Sequence, residues 1–585
     1  MTQTEHQSET FRREPPAPLA PRPMNLPVPA AATLANGLRV MFVANNRLPL
    51  VTYRLAFRTG DSHDPPHLPG LTDLLTGMLN EGTQTRTSRR IADEVARIGA
   101  TLGAGAGSDY TTVAASALSQ FDEEILELMA DVCLRPSFPA DELELTKQNA
   151  LQSLIAQRGQ PSFLANEQLA RVIYGQHPYS RISATPESLA AMTRDDLIDF
   201  HRRAFIPNNA VLIVGGDVRR EETLARIEKL FGAWSPGEAQ LSEFPAPPAR
   251  RRRAIYLVDR PGSAQSNIVI ANVAITRTDP DYFPLLVMHT ILGANASSRI
   301  FMNLREDKGY TYGAYTSLDA RRTAGTFRAT AEVRTPVTGD SLKEFFYELG
   351  RIRDEIVSEK ELQDALSYLT GIFPIRLETL DGLIDQLIQI KMLDLPDDYL
   401  QTYRERVGAV TREEVQRVAR RYITPGQTAI VIVGDASALH EQIKKYADEI
   451  ELYDSAGRRK NASAQNREIK PDGRDMSTTT EDHTGFTGTW QLEITSPLGP
   501  QTATLVVDAD GDALRGTLRS SYGEAQLDTI TLNGDIFNSA LALKIQGMSI
   551  QADISGRREG DNLSGTIKSN MPVPPLMFTG RRIEQ

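Results

Sequence analysis

The feature that most constrains this chain is an internal repeat. Residues 193–197 (TRDDL) match residues 411–415 (TREEV), and the same offset of 218 residues aligns three later pairs. These pairs are Arg202-Arg203 with Arg420-Arg421, Pro207 with Pro425, and Gly216-Asp217 with Gly434-Asp435. Each copy has the pattern of an N-capped amphipathic helix, a proline turn, a buried strand and a Gly-Asp stop. The repeat predicts two homologous α/β halves of an α+β protein, at about 31–235 and 254–450.

Three breaks in composition separate these halves from the rest of the chain. A chain of 585 residues is too long for one core, because domains average roughly 150 residues. Residues 1–30 are proline-rich and polar, which predicts a disordered arm. Residues 236–253 combine prolines with a run of arginines, which is typical of a linker. Residues 451–484 are polar and of low complexity, which predicts a second, disordered linker.

The tail, 485–585, has a different pattern. Short alternating runs are separated by turn signals such as Asp510-Gly511 and Glu559-Gly560. Up-and-down strands must pair along both edges, so we expect a small all-β meander barrel. Trp490 resembles the opening tryptophan of lipocalin-like barrels. That resemblance implies either an apolar ligand or, as we favour, a plug at the base of the barrel.

Charge and cysteine content exclude several functions. A net charge of -11 argues against nucleic acid as a main partner. The single cysteine, Cys133, excludes an internal disulfide and a thiolate cluster, and its apolar surroundings favour a buried structural thiol. No run reaches the ~18 apolar residues of a membrane span. As written the chain has no export signal, so we expect a cytoplasmic protein. A start codon further upstream would allow a periplasmic one.

Four segments of the first half resemble a known enzyme family. They are Asn36-Gly37-Leu38, residues 70–83 (GLTDLLTGMLNEGT), residues 174–179 (YGQHPY), and residues 200–217 from Phe200-His201 to Gly216-Asp217. Together they resemble the inverzincin metallopeptidases, the family of pitrilysin, insulin-degrading enzyme and mitochondrial processing peptidase. The bacterial, processing-peptidase-like branch is the most similar. The resemblance covers both halves but not the tail.

The resemblance also shows what this chain lacks. The family's H-x-x-E-H helix binds zinc through two histidines, and its glutamate activates water. The matching positions here are Asp73, Thr76 and Gly77, which form only a degenerate zinc site. The family's third ligand, a glutamate, matches Gln152 or Ser153. We therefore expect a non-catalytic member without zinc, in which any zinc belongs to a partner subunit.

The histidines offer no replacement for this site. His63 and His67 are four residues apart, but Pro65 and Pro66 lie between them, so a surface loop is the expected structure. His177 lies in the YGQHPY segment, and we expect a packed structural histidine there. The glycines of residues 103–107 (GAGAG) lack the residues of a phosphate loop. They fall where active relatives pair an edge strand with substrate, although a structural strand is the simpler interpretation.

In the second half, residues 298–312 (SRIFMNLREDKGYTY) are similar to a second part of the family's site. Ser297 or Ser298 is the expected N-cap, and Gly309 the expected stop. The resemblance implies that Arg305 and Tyr312 face the catalytic chamber. A guanidinium and a phenol are donors suited to a peptide carbonyl and its oxyanion. Tyr310 and Tyr315 are alternatives for the tyrosine.

Some bacterial members of this family are heterodimers, in which one subunit has the zinc motif and the other the Arg/Tyr pair. The sequence therefore predicts a subunit that binds a peptide substrate. It would supply Arg305 and Tyr312 to a zinc-bearing homologous subunit, or to a second copy of itself. The alternative is a proteolytically silent scaffold or binding protein of the same fold. A hydrolase with unorthodox metal ligands is a third and weaker reading.

Overall fold

The computed structural model describes residues 24, 26–238, 243–460, 486–496, 499–510, 513–520, 523–533, 535–545, 548–569 and 576–584. Most of the predicted arm, part of the first linker and most of the second lie outside these ranges. The chain divides into two units, Met1–Glu468 and Ile469–Gln585. The first contains both homologous halves, and the second contains the barrel.

Each half is built on one six-stranded sheet. In the first half the strands are β1 (Ala30–Thr33), β2 (Arg39–Ala44), β3 (Leu50–Phe57), β4 (Thr101–Ala106), β5 (Thr111–Leu118) and β6 (Ala210–Gly216). In the second half they are β7 (Ala254–Asp259), β8 (Gln265–Ala274), β9 (Thr311–Ala320), β10 (Gly325–Arg334), β11 (Ala429–Gly434) and β12 (Glu449–Tyr453). The strand orders are β1-β2-β6-β3-β5-β4 and β12-β7-β11-β8-β10-β9. Apart from the first strand of each order, the two sheets have the same topology, and the predicted duplication is confirmed.

The helices of the two halves also correspond. The first half has α1 (Leu71–Met78), α2 (Ser88–Arg97), α3 (Asp122–Leu134), α4 (Ala140–Arg158), α5 (Pro161–Tyr174), α6 (Pro186–Ala191), α7 (Arg194–Ala204) and α8 (Arg220–Phe231). The second has α9 (Tyr282–Gly293), α10 (Arg299–Phe301) continued by a π-helix (Met302–Asp307), α11 (Thr338–Asp354), α12 (Glu359–Glu378), α13 (Leu380–Met392), α14 (Tyr399–Gly408), α15 (Arg412–Tyr422) and α16 (Ala436–Ile443). The repeated motif behaves as predicted, because Thr193 and Thr411 form equivalent capping boxes at the starts of α7 and α15. One boundary differs, since β12 extends the second sheet beyond residue 450.

Each half contributes one helix to the other half's sheet. Helix α5 packs on β8 and β11, where Leu169 and Ile173 join the core around Val431. Helix α13 packs on β3 and β6, and Gly215 of β6 admits it closely, since a Cβ there would lie 2.6 Å from Cδ1 of Ile384. Both faces of each sheet are thereby covered, which explains the continuous apolar runs of β6 and β11.

A polar junction joins the tips of two hairpins of opposite halves. The hydroxyl of Tyr179 donates to the Asp109 carboxylate, which follows β4, and accepts from Thr323 at 3.0 Å. Thr323 follows β9 and also lies 3.1 Å from Nε2 of His177. The backbone N–H of Arg322 donates to Asp109 at 3.0 Å. The YGQHPY segment therefore fixes the end of β4 relative to the end of β9.

The second unit is a closed barrel, as predicted. Its eight antiparallel strands are β13 (Gly488–Ser496), β14 (Gly499–Asp510), β15 (Ala513–Ser520), β16 (Gly523–Asn533), β17 (Ile536–Ile545), β18 (Met548–Glu559), β19 (Asn562–Ser569) and β20 (Leu576–Glu584). Trp490 is fully buried among apolar side chains, and its Nε1 donates to the Phe486 carbonyl at 3.1 Å. The Arg582 guanidinium lies 4.5 Å from the centre of its ring. Trp490 is thus part of the packed interior of the barrel. Within the described ranges, no helix combines the length and the apolar character needed to cross a bilayer.

Candidate functional site

The degenerate zinc helix, α1, is a regular helix that begins at an unusual cap. Gly70 precedes it with φ +91°, and a Cβ there would lie 2.5 Å from Cβ of Ala184, so only glycine fits. The buried Asp64 carboxylate accepts from the N–H groups of Gly70 at 2.8 Å and Thr72 at 2.9 Å. Burial raises the pKa of Asp64 to about 7 despite these hydrogen bonds. The helix has therefore kept its structural start.

The three positions predicted to replace the zinc motif all lie on α1, but they do not share one environment. Asp73 and Gly77 are exposed on one face, one turn apart, whereas Thr76 is buried and its hydroxyl donates to the Asp73 carbonyl at 2.9 Å. Asp73 is exposed at the surface, but the protein around it displaces much of its hydration. This desolvation raises the pKa of the Asp73 carboxyl. Gln152 and Ser153 are exposed on α4, which packs against α1. Across the described ranges, no group of three or more His, Cys, Asp or Glu side chains could hold a metal ion.

Strand β4 forms one edge of the first sheet, beside α1. Asn80 follows α1 and donates from Nδ2 to the Leu102 carbonyl of β4 at 3.1 Å. Further along β4, a Cβ added at Gly103 or Gly105 would meet no atom within 4 Å. Packing within the chain therefore does not require glycine at either position. The glycines leave the strand surface open to a close approach by another chain.

Arg305 lies in the second half, in the π-helix (Met302–Asp307) that continues α10. Its π character is marked by the N–H of Lys308, which donates to the Asn303 carbonyl at 3.1 Å, five residues back. The guanidinium lies 5.0 Å from the Phe301 ring centre and 3.4 Å from the Glu306 carboxylate. Its side chain is 45% exposed. A π-helix is uncommon and often lies at a functional site, because the extra residue re-aims the side chains that follow.

Tyr312 lies in a bulge at the start of the edge strand β9. The pairing of β9 with β10 shifts by one residue there, so that Tyr312 and Gly313 together lie opposite the single residue Glu332. The hydroxyl of Thr311 donates to the Glu332 carbonyl at 2.5 Å and accepts from the Gly313 N–H at 3.1 Å. The bulge turns the Tyr312 side chain outward, where it is 91% exposed. This tyrosine therefore contributes almost nothing to the core.

Arg305 and one of the alternative tyrosines, Tyr315, contact the same aromatic ring, that of Phe301. Tyr315 is 42% exposed, and its ring centre lies 5.4 Å from that of Phe301, the ring that Arg305 also contacts. Tyr310 is half-buried and donates its N–H to the Leu304 carbonyl at 3.0 Å. In the described part of the chain, no contact joins Arg305 directly to Tyr312. Arg305, Tyr312 and Tyr315 thus form an exposed polar and aromatic surface, which we call the β9 surface.

The remaining candidates have structural surroundings. His177 is buried in the hairpin junction, where burial first and then the charge of Arg321 lower its pKa to about 4. Cys133 is buried in α3, and burial raises the pKa of its thiol. His67 is exposed, whereas His63 is half-buried, with its ring centre 5.4 Å from that of Phe244. The prediction of a surface loop therefore holds for His67, whereas His63 is half-buried.

The sequence interpretation missed two features that shape the site. One is the cap supplied by Asp64, which lies six residues before Gly70 and so outside every local capping pattern. The other is the distorted backbone on both sides of Gly309, with a π-helix before it and a bulge after it. Ser298 is the N-cap as predicted, yet its hydroxyl donates back to the Asn295 carbonyl at 2.5 Å. Gly309, with φ +62°, ends the helix as predicted.

Comparison with known families covers both halves of the first unit. Residues 39–187 match the family model described as Insulinase (Peptidase family M16). Residues 191–369 match the model described as Peptidase M16 inactive domain. The two matched segments follow one another along the chain and together span more than half of it.

Similar proteins come from several bacteria. A Bacillus subtilis protein named "Uncharacterized zinc protease YmxG" is 24% identical over 67% of this chain and 95% of its own length. The Helicobacter pylori "Non-peptidase homolog YmxG" is 22% identical over 68% and 91%. A crystal structure described as a peptidase M16 inactive domain from Pseudomonas fluorescens superposes with a TM-score of 0.65. It is 29% identical and covers 70% of this chain and 98% of its own. The chain therefore belongs to the peptidase M16 family, as an inactive-type member.

Proposed function

We propose that this chain is a non-catalytic subunit of a zinc metallopeptidase. It binds peptide and supplies Arg305 and Tyr312 to the active site of a zinc-bearing partner. The observation that carries the proposal is that the Tyr312 side chain is 91% exposed, although it belongs to a strand of the second sheet. The backbone bulge that turns it outward is held by the hydroxyl of Thr311. A large aromatic side chain held out of the core in this way is suited to contact another molecule.

The chemistry of the two side chains fits the proposed role. The phenol of Tyr312 is a single donor, and the guanidinium of Arg305 offers several donors in a rigid plane. Among the described residues, the Arg305 guanidinium contacts the Glu306 carboxylate at 3.4 Å and the face of Phe301. Its remaining donors are available to a carbonyl under attack. Neither side chain provides a nucleophile or a metal ligand, so the water and the zinc must come from the partner.

Two sheet edges support peptide binding. Strands β4 and β9 each end their sheet, so each has unpaired backbone groups along one side. An extended peptide could pair with either edge by adding a strand. Gly103 and Gly105 leave β4 free of side chains that would obstruct it. The polar junction of Tyr179, Asp109 and Thr323 links the end of β4 to the end of β9, so both edge strands belong to one unit that could contact a peptide.

The experiment is to co-express the chain with a zinc-bearing M16 protein from the same genome. The complex is isolated by size, and its turnover of a quenched peptide is compared between variants. We expect Arg305→Ala and Tyr312→Phe each to lower kcat by about a hundredfold, since one oxyanion donor is typically worth about 3 kcal/mol. The loss should fall on kcat, because the oxyanion develops only in the transition state.

Two control variants match the test variants. Lys308→Ala removes an exposed cation three residues from Arg305, and Tyr347→Phe removes the hydroxyl of a half-exposed tyrosine on α11. Both should leave kcat and assembly unchanged. If both test variants kept full activity in an intact complex, the Arg/Tyr role would be wrong. If no zinc-bearing M16 protein associated with the chain, the scaffold alternative would be the better account.

A further inference from the structure

A second site lies away from the β9 surface, in a cavity of about 680 Å³ in the first half. Three arginines line it, and each comes from a different segment of the chain. Arg58 follows β3, Arg181 follows the YGQHPY segment, and Arg203 lies on α7. The volume falls within the range of cavities that bind small molecules. We call it the arginine cavity.

The arginines are not neutralised within the cavity. Arg203 donates from Nε to the Asp199 carbonyl at 3.2 Å, and Arg181 donates to the Asp64 carbonyl at 3.4 Å. Both acceptors are backbone groups, and in the described part of the chain neither arginine has a carboxylate partner. Arg58 is ion-paired with Asp394 at 2.6 Å, yet its Nε is buried and has no hydrogen-bond partner. The cavity therefore holds unused guanidinium donors.

Among the described lining residues, Asp64 alone is a carboxylate, and it already has other partners. Asp64 accepts from Gly70 and Thr72 at the start of α1, and burial raises its pKa to about 7. His63 also lines the cavity, and burial lowers its pKa, so it adds no full charge near neutral pH. The lining is thus strongly positive, although the chain as a whole has a charge of -11. A cavity of one sign in a protein of the other sign concentrates ions of the protein's own sign.

Another cavity of the same unit shows the usual arrangement. It has a volume of about 340 Å³ and is lined by Arg299 and Arg351. Arg299 is paired with Glu361 at 2.6 Å, and Arg351 with Glu348 at 3.1 Å. Arginines in that cavity therefore stabilise the fold by internal ion pairs. The arginine cavity differs because, among the described residues, neither Arg181 nor Arg203 is ion-paired with a carboxylate.

We propose that the arginine cavity binds a small molecule bearing anionic oxygens, as a carboxylate or a phosphate group. Arg181 and Arg203 would form charge-assisted hydrogen bonds with those oxygens, and the buried Nε of Arg58 would supply a further donor. The edge-on rings of His63 and Phe244 form an apolar wall for the body of the ligand. This proposal does not depend on the proposed peptidase role, because the cavity shares no residue with the β9 surface.

The test is calorimetric titration of the full chain with inorganic phosphate and with citrate, at constant ionic strength. We expect one saturable site per chain for at least one anion. Binding of phosphate alone identifies a phosphate ligand, and binding of citrate alone a carboxylate ligand. Arg181→Gln and Arg203→Gln should each weaken binding at least about tenfold, since each removes a charge-assisted contact.

The matched control is Arg202→Gln. Arg202 lies next to Arg203 on α7, is 74% exposed, and pairs with the Asp199 carboxylate at 2.7 Å outside the cavity. The Arg202→Gln variant should bind the anion as tightly as the unchanged chain does. This result would distinguish a specific site from general attraction to positive charge. The proposal is overturned if neither anion binds beyond the effect of sodium chloride. Equal weakening in all three variants, or in none of them, would overturn it as well.

Discussion

The two halves of the first unit have the same sheet but differ at the edge where a peptidase would work. In the first half, α1 is a regular helix, and Asp73 and Gly77 are exposed one turn apart on it. In the second half, the backbone itself is distorted, by a π-helix at Arg305 and a bulge at Tyr312. Because Asp73 and Gly77 are exposed, these two residue types place little demand on the packing of the helix. The side chains and the backbone of corresponding regions can therefore differ independently of each other.

The sharpest test of this comparison is to restore part of the chemistry to α1. Asp73 and Gly77 are exposed one turn apart, so histidines at both positions would share a face. We expect the unchanged chain to hold no stoichiometric zinc. Asp73→His with Gly77→His should gain zinc binding near micromolar, about 8 kcal/mol. Elemental analysis and calorimetry would measure both.

The single variant Gly77→His is the control for this experiment, because one imidazole cannot chelate. If the double variant bound zinc no better than the single one, the two positions would not share a face and the alignment of α1 with the zinc motif would be wrong. One tightly held zinc in the unchanged chain would contradict the degenerate site itself.

The next comparison concerns the exchanged helices, α5 and α13. Ile173 of α5 and Ile384 of α13 are fully buried against the sheet of the other half. Ile173→Ala and Ile384→Ala should each lower the free energy of unfolding by about 2–5 kcal/mol. Because each helix belongs to one half and packs on the other, both halves should lose stability in one transition. Denaturant unfolding followed separately by fluorescence and circular dichroism would test this, and two transitions besides that of the barrel would show independent halves.

The sequence predicted much of this fold because the duplicated motif is local. The caps at Thr193 and Thr411 and the strands that follow depend on neighbouring residues, and they occur as predicted. The exchange of α5 and α13 was not predicted, since amphipathic periodicity gives the apolar face of a helix but not the surface that receives it. The π-helix at Arg305 was also missed, because a one-residue change of register leaves no pattern in the sequence.

The two halves are also expected to differ in the pH dependence of their stability, because each has a carboxylate with a shifted pKa at the start of a helix. At α1, burial raises the pKa of Asp64 to about 7. The folded chain keeps this proton between about pH 4 and 7, where the unfolded chain has lost it, so stability from Asp64 falls as pH rises through that window. At α12, burial would raise the pKa of Glu361, but hydrogen bonds from Arg299 and Ser358 outweigh it and lower the pKa to about 2. Stability from Glu361 therefore rises between about pH 2 and 4.5.

Asp64→Asn and Glu361→Gln separate the two effects, because each keeps an acceptor oxygen and removes the titration. The first should flatten the loss of stability between pH 4 and 7, and the second should flatten the gain below pH 4.5. Melting temperatures measured across this range would show both slopes. An unchanged slope in Asp64→Asn would mean that the hydrogen bonds from Gly70 and Thr72 keep Asp64 ionised.

The smallest expected effect concerns the glycine inside α1. Gly77 lies in the last turn of a helix, where glycine costs about 1 kcal/mol relative to alanine. A Cβ there would meet only Cγ2 of Thr146, at 3.7 Å, which is an ordinary contact. Gly77→Ala should therefore stabilise the first unit by about 0.5–1 kcal/mol, measured by denaturant unfolding. Gly215→Ala is the opposite control, because its Cβ would lie 2.6 Å from Ile384 and should destabilise the same unit. If Gly77→Ala were destabilising, α1 would pack more tightly on α4 than these distances allow, and the glycine would have a structural role that the open contact does not explain.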